Sequence, residues 1–500
     1  MSKWLKNAIF YEIYPTSFMD SDGDGIGDLR GIAAKLDYVA SLGCNAIWLN
    51  PFYKSPFKDG GYDVSDFFDV DPRFGTLDDF KNLLAEAHRK GIKIIVDLVA
   101  GHASEQNSEF LRSAEPERNE CSDLFIWNSC VWDLEQPYRL ISGRYDRNAC
   151  YMVNFFSTQP AFNYGFNEIT HPKWQMSYQD PRTFAAREYL KKIMFFWLDL
   201  GVDGFRVDMA DSLVKNDDDK KATMEIWKEI SLEVKKAYPE SVLVSEWSNP
   251  SRSLSCGFDC DFVLDHWDNF FHLLVRSTPE SRGVSLLNGG DQPKAYDDLV
   301  RRIEEAGKAG GYLGLISGNH DTPRISSFLD ETRLRLYYLM MFTLPGVPFL
   351  YYGDEIEMKH QNLASKDGGY QRTGDRTPMQ WDRSANCGFS ETKGELYLPQ
   401  LNVKTDVASS EADPSSLLNW LKKLIAFRKA EKALTDKAFA MNEPEKGLIV
   451  YDRGNLRVLI NLGDCPVEIE GKVRFRTETG EAQKNKLYPY QGVVVEKEEK

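Results

Sequence analysis

The chain has little that would suit it to nucleic acid, to a membrane or to a disulfide-built fold. Lysine and arginine number 61 against 76 acidic residues, leaving a formal net charge of −15 over 500 residues. A surface of that sign has no basic field to neutralise phosphates, which excludes nucleic acid as a partner. No stretch comes near the roughly 18 apolar residues of a membrane span. The opening MSKWLKNAIFYEIYP carries Lys3 and Lys6, but its apolar run breaks at Glu12 and no small-residue cleavage pattern follows, so no signal peptide is expected. Eight cysteines are scattered, with Cys256 and Cys260 the one close pair. That spacing argues against zinc and for reduced thiols in a cytoplasmic protein. Repeats and low-complexity linkers are missing too. Oligomeric state is not legible.

What is present is the composition of a compact soluble enzyme, 42% hydrophobic and 13% aromatic. Short β-branched or aromatic runs alternate with longer amphipathic ones. Strands are expected at Ala8–Tyr14, Ala46–Asn50, Ile92–Val99, Val202–Met209, Val242–Trp247, Phe258–Leu264, Tyr312–Ser317 and Val347–Tyr351. Helical patterns lie between them, among them Ile32–Leu42, Leu77–Lys90 and Thr183–Leu200. Eight strands alternating with helices read as an α/β fold, a closed (β/α)8 TIM barrel. The interval 103–181 is too long for a loop and is expected to be a domain inserted after strand 3. The barrel then comprises 1–102 and 182–430, with a second irregular stretch from Glu355 to Pro414. Short alternating runs over 431–500 give a C-terminal antiparallel β domain that supports the barrel.

The chemistry gathers at strand ends. GVDGFRVDMAD, from Gly201 to Asp211, is a buried strand that leaves Arg206 and Asp208 side by side, and ions in a core need partners. The third strand ends as DLVAGH with Asp97 and His102; the fifth ends as VSEW with Glu246; the seventh runs into GNHD with His320 and Asp321. Three carboxylates, two imidazoles and a guanidinium at matching ends would meet at one barrel mouth. Paired carboxylates without a histidine metal cluster suit acid/base and nucleophilic chemistry on a glycosidic bond. Arg206 would keep Asp208 ionised, while burial beside Trp247 would favour the protonated form of Glu246. Separately, DSDGDGIGD offers Asp20, Asp22, Asp24 and Asp28 with a backbone carbonyl near Ile26, a set of hard oxygens for a divalent cation. It lacks the closing Glu of an EF-hand.

In order and spacing, DLVAGH, GFRVD, VSEW and GNHDTPR resemble the motifs of the α-amylase superfamily, glycoside hydrolase family 13. The likeness runs through nearly the whole chain, GYDV and RTPMQW included, and is greatest to the oligo-1,6-glucosidase, α-glucosidase and trehalose synthase group. It implies Asp208 as nucleophile, Glu246 as general acid/base and Asp321 as the third carboxylate. It further implies that His102, Arg206 and His320, Tyr62 and Asp63 of GYDV, and Arg376 of RTPMQW serve the substrate, with Asp97 holding Arg206. The Asp-rich loop is similar to one that binds Ca2+ in family members.

Three departures stand out. Gly101, Ala161 and Ser212 occupy positions that help amylases form a calcium site between barrel and insert, so that site is expected to be absent. Met209, after the nucleophile, leaves linkage preference open. The function implied is retaining hydrolysis of short malto-oligosaccharides or related α-glucosides. Its rivals are a transglycosidase, of 4-α-glucanotransferase or trehalose-synthase type, and a non-catalytic sugar-binding member of the fold.

Overall fold

The computed structural model describes residues 2–134, 137–266, 268–277, 283–401, 403–442, 447–478 and 485–497. Eight parallel strands close into a barrel: β1 (Phe10–Ile13), β2 (Ala46–Leu49), β3 (Lys93–Val99), β4 (Gly204–Asp208), β5 (Val242–Ser245), β6 (Cys260–Phe262), β7 (Tyr312–Ile316) and β8 (Val347–Tyr351). The strands are buried almost throughout, as a parallel sheet covered by helices demands. Their lower interior is packed with rings. Phe10 stacks on Phe349 at 4.3 Å, and Phe262 lies 4.8 Å from Phe349 and 5.3 Å from Trp48. Two residues further along β1, β2 and β8 the period of a strand brings Glu12, Asn50 and Tyr351 inward. An apolar floor thus carries a polar layer.

Register sets the first pair of that layer. β3 and β4 align Asp97 with Arg206 and Val99 with Asp208. The helices outside are ordinary products of sequence. Leu77–Arg89, for instance, opens on a capping box of Thr76 and Asp79 and buries Phe80, Leu83, Leu84 and Ala87. The single helix expected over Ile32–Leu42 is instead two, Leu29–Ala34 and Leu36–Leu42. Asp28 caps the first by accepting from the Gly31 N–H, which starts it earlier, and Lys35 (φ −104, ψ 7) breaks it.

Residues 103–181 are mostly irregular. Among the described residues they hold one short α-helix, Ser108–Ser113, and a two-residue ladder of Leu140–Ile141 with Tyr151–Met152. Ile126, Met152, Ala161, Phe166 and Trp174 form a small core of their own, while Phe110, Leu124, Phe125 and Trp127 join the main one. A hairpin, Tyr53–Lys54 with Asp66–Val70, carries a loop toward the same barrel end. The C-terminal sheet is antiparallel, ordered Ala440–Met441, Leu448–Arg453, Leu456–Asn461, Gln491–Glu496, Lys472–Arg476. Thr343, at the end of the helix Glu331–Thr343 between β7 and β8, meets the Tyr451 hydroxyl at 2.6 Å. Among the described residues no helix is long and apolar enough to cross a membrane.

Candidate active site

Arg206 is the centre of the polar layer. Fully buried on β4, its Nη1 donates to Asp97 Oδ1 at 2.6 Å and Asp208 Oδ1 at 3.0 Å, and its Nη2 lies 2.8 Å from Glu246 Oε1. A cation taken out of water costs several kcal/mol unless paired, and three carboxylates supply the pairing. Asp97 is itself fixed from the other side, accepting from Trp48 Nε1 at 2.8 Å and the Tyr62 hydroxyl at 3.1 Å. Glu246 follows the end of β5, and its second oxygen accepts from the backbone N–H of Met209 at 2.8 Å. To aim that N–H, Met209 takes a left-handed conformation with φ 41. A side chain there costs about 1–3 kcal/mol of strain, a cost that clusters at functional sites.

Asp208 and Glu246 thus sit on two ends of one guanidinium, and the electrostatics differ from the sequence expectation. Burial raises the Asp208 carboxyl well above the carboxylate range; the Glu246 charge adds to this, and Arg206 opposes it. Desolvation was expected to fall on Glu246. Its side chain is 18% exposed against 10% for Asp208, so Asp208 carries more of it.

Asp321, after β7, faces three cations. Arg372 Nη1 lies 2.6 Å from Oδ1, Arg376 Nη2 3.0 Å from the same oxygen, and His320 Nε2 3.2 Å from Oδ2. Burial would raise the Asp321 carboxyl, but these neighbours outweigh it and hold it well below the usual range. Arg372 also reaches Asp59 at 3.0 Å, and Asp59 accepts from Gln159 of the insert at 2.7 Å. Neither Asp59 nor Arg372 stood out in sequence, although Asp59 lies three residues before Tyr62 and Arg372 four before Arg376. The Tyr62 ring stacks on His320 at 5.2 Å. Beside Asp321 and Arg372 opens a cavity of about 600 Å³, also lined by His360 and Tyr370. A larger cavity of about 760 Å³, near Lys366, Asn386 and Tyr397, lacks such a convergence of charged groups.

Residues 12–437 match the family model for the alpha amylase catalytic domain. The chain belongs to the alpha-amylase family. It is 32% identical to the trehalose synthase/amylase TreS of Mycolicibacterium smegmatis, over 88% of this chain and 78% of that one. It is 30% identical to the oligo-1,6-glucosidase of Parageobacillus thermoglucosidasius, over 85% of this chain and 84% of the relative. Among solved structures, the trehalose-6-phosphate hydrolase of Bacillus licheniformis superposes with a TM-score of 0.80 at 26% identity, covering 98% of this chain and 99% of that chain.

Within this alpha-amylase framework three of the expected substrate residues are placed differently. Asp63 is fully buried, and its carboxylate accepts from the Ser55 hydroxyl and the backbone N–H groups of Lys58 and Asp59 at 2.9–3.1 Å. It shapes the loop, whereas Asp59 pairs with Arg372. Arg376 is buried, donating from Nε to the His320 carbonyl at 2.8 Å as well as pairing with Asp321, so it positions both. His102 spends both ring nitrogens on protein, Nε2 with the Tyr62 carbonyl at 3.1 Å and Nδ1 with Asn154 Nδ2 at 3.2 Å. Burial lowers its pKa to about 3, so the ring is neutral.

Asn154 leads to a residue that sequence reading missed. Lys215 Nζ donates to Asn154 Oδ1 at 2.7 Å and to the Ser212 carbonyl at 2.5 Å. A Cβ on Gly101 would come within 2.6 Å of Asn154 Nδ2 and 2.9 Å of Ser212 Oγ, so a side chain there would disturb the residues that meet Lys215. Burial lowers the Lys215 pKa to about 7, and its Nζ ties the segment after β4 to the insert.

The Asp-rich loop brings part of its set together. One oxygen each of Asp20, Asp22 and Asp28 lie within 4.8 Å of one another. Asp24 falls outside that group, its Oδ1 accepting from the Ile26 N–H at 2.7 Å. Three hard carboxylates on a glycine-rich turn fit an oxygen-seeking divalent cation completed by water.

Proposed function

We propose that this chain is a retaining α-glucoside hydrolase acting on short malto-oligosaccharides or related α-glucosides, with Asp208 as nucleophile, Glu246 as acid/base and Asp321 as the third carboxylate. The observation that carries this is the single guanidinium of Arg206 holding Asp208 at 3.0 Å and Glu246 at 2.8 Å. Retention requires the two carboxylates close together, about 5–5.5 Å, and a shared cation favours that spacing. Before sugar binds, burial keeps the Asp208 carboxyl raised. With a sugar bound, the glycosidic oxygen over Glu246 and the anomeric carbon over Asp208 select the state with the proton on Glu246.

In the first step the Asp208 carboxylate forms a bond to the anomeric carbon as the bond to the leaving oxygen breaks, and Glu246 gives that oxygen its proton. In the second, Glu246 takes a proton from water, whose oxygen displaces Asp208 and restores the α configuration. Asp321, kept ionised by its three cations, grips hydroxyls of the reacting sugar, and Tyr62 stacks beneath it. The Arg372–Asp59 ion pair beside Asp321 is assigned to limiting the pocket, which would favour cleavage from chain ends. The Asp20, Asp22, Asp24, Ile26 and Asp28 loop is assigned to a structural Ca2+. A cytoplasmic location accords with eight free cysteines.

Likeness to a trehalose synthase supports a second reading, in which a sugar hydroxyl replaces water as acceptor. Time-resolved products from maltose, isomaltose, panose, trehalose, sucrose and maltodextrins test both. Hydrolysis with retention releases the α anomer first; β anomer first would overturn the mechanism. Longer or isomerised products from maltotriose with little free glucose would favour transfer.

A further inference from the structure

We infer that Glu12 is a positioning residue for this reaction: from β1 it holds His320 with a proton on each ring nitrogen, and through that ring it sets the Asp321 carboxylate at the pocket.

Glu12 has no place among the strand-end motifs, since it lies inside β1, two residues past the aromatic floor. Its Oε1 is 2.8 Å from His320 Nδ1, and His320 Nε2 is 3.2 Å from Asp321 Oδ2. The imidazole therefore has a carboxylate at each nitrogen, and an ionised carboxylate only accepts. Two acceptors call for two N–H donors, which makes the ring an imidazolium. It cannot turn away. Tyr62 stacks on one neighbouring side at 5.2 Å and Tyr14 at 6.3 Å, Trp48 meets its edge at 5.9 Å, and all are buried.

The other groups facing this pair are accounted for. Arg206 attracts Glu12, Arg376 holds the His320 carbonyl, and Tyr351 is a neutral phenol beside Glu12. Asn50 Nδ2 lies 3.1 Å from Nδ1, but both nitrogens are donors once the ring is an imidazolium, and the amide has its acceptors in the Tyr62 hydroxyl and Asp97 Oδ2, each at 3.4 Å. Burial alone would lower the pKa of His320, but Asp321 and Glu12 outweigh it and raise it to about 9. Burial raises the Glu12 carboxyl, against the pull of His320. Glu12 and His320 thus share one proton, with the imidazolium favoured by the second carboxylate. The Nε2 contact to Asp321 is an ion pair bent from hydrogen-bond geometry, as catalytic contacts often are before substrate arrives.

A purely structural Glu12 would affect folding alone, so the test reads protonation. The inference rests on the proposed reaction, and two measurements separate its failure from that of the reaction. First, kcat/KM is followed against pH with α-glucosyl fluoride, whose leaving group needs no proton from Glu246. The alkaline limb near pH 9 should move to lower pH by about 1–2 units in Glu12→Gln, the usual effect of removing one adjacent charge. An unmoved limb in a folded variant overturns the inference. Second, 15N NMR of the wild-type chain labelled at histidine should show both nitrogens of His320 protonated at pH 8. A neutral ring there overturns it, whether or not any glucoside turns over and whether or not the variant folds.

Discussion

Lys215 Nζ and Asn154 Oδ1 lie 2.7 Å apart, and that contact joins the segment after β4 to the insert. Asn154 in turn meets His102 Nδ1 at 3.2 Å, so Lys215 is linked through one side chain to the imidazole that follows β3.

Lys215→Met keeps the stem and removes the donor. It leaves Asn154 Oδ1 and the Ser212 carbonyl unpartnered by Nζ, and is expected to cost about 1–3 kcal/mol. Calorimetry reads this as a lower Tm, accompanied by reduced kcat/KM. A Tm equal to wild type would show that the bridge carries no stability.

Asp208→Asn is expected to lower kcat by about 10⁴-fold or more, as loss of a nucleophile does. Stability should move the other way. The raised Asp208 pKa means that its contribution to stability is full below the unfolded carboxylate value and lost as pH rises through the folded one. Asn has no proton to lose. The Tm of the variant should therefore exceed that of wild type by a margin that widens above about pH 4. Thermal melts over pH 3.5–8 check it, and a margin independent of pH would contradict the cause given.

Arg372→Ala unties Asp321 and Asp59 together. Truncating one partner of such a pair costs about 2–5 kcal/mol, about 30-fold or more in kcat/KM on maltose. If the pair also closes the pocket, maltohexaose should lose less than maltose does. Equal losses on both substrates would separate charge from closure and argue against chain-end selectivity.

Chelation tests the Asp20, Asp22, Asp28 group. EDTA should lower Tm and added Ca2+ restore it, since a ligand at a hundredfold its Kd stabilises by about 2.7 kcal/mol. Asp20→Asn should abolish the response. A wild-type Tm indifferent to EDTA and Ca2+ would remove the metal from the account.

The barrel was legible because its strands are buried on both faces and read as short apolar runs, and the active centre because ions at strand ends interrupt them. Arg206, Asp208, Glu246 and Asp321 announce themselves this way. Other parts did not. Asp63 and Asp59 look alike in KDGGYDV, and only the turn decides that one carboxylate binds its own loop and the other faces Arg372. Lys215 is one lysine among many until Asn154 and the Ser212 carbonyl are found accepting from it. Glu12 seemed only the residue that ended an apolar run. Such roles arise from contacts across hundreds of residues, which spacing along the chain does not encode.

The three-way grip of Arg206 has a consequence for the course of the proposed reaction. When Asp208 becomes an ester it loses its charge, and in the same step Glu246 gives up its proton and gains one. The negative charge opposite the guanidinium is therefore the same before and after the sugar is attached, merely handed from one nitrogen to the other. The cation need not shift, nor its surroundings reorganise, for the covalent intermediate to form or to break.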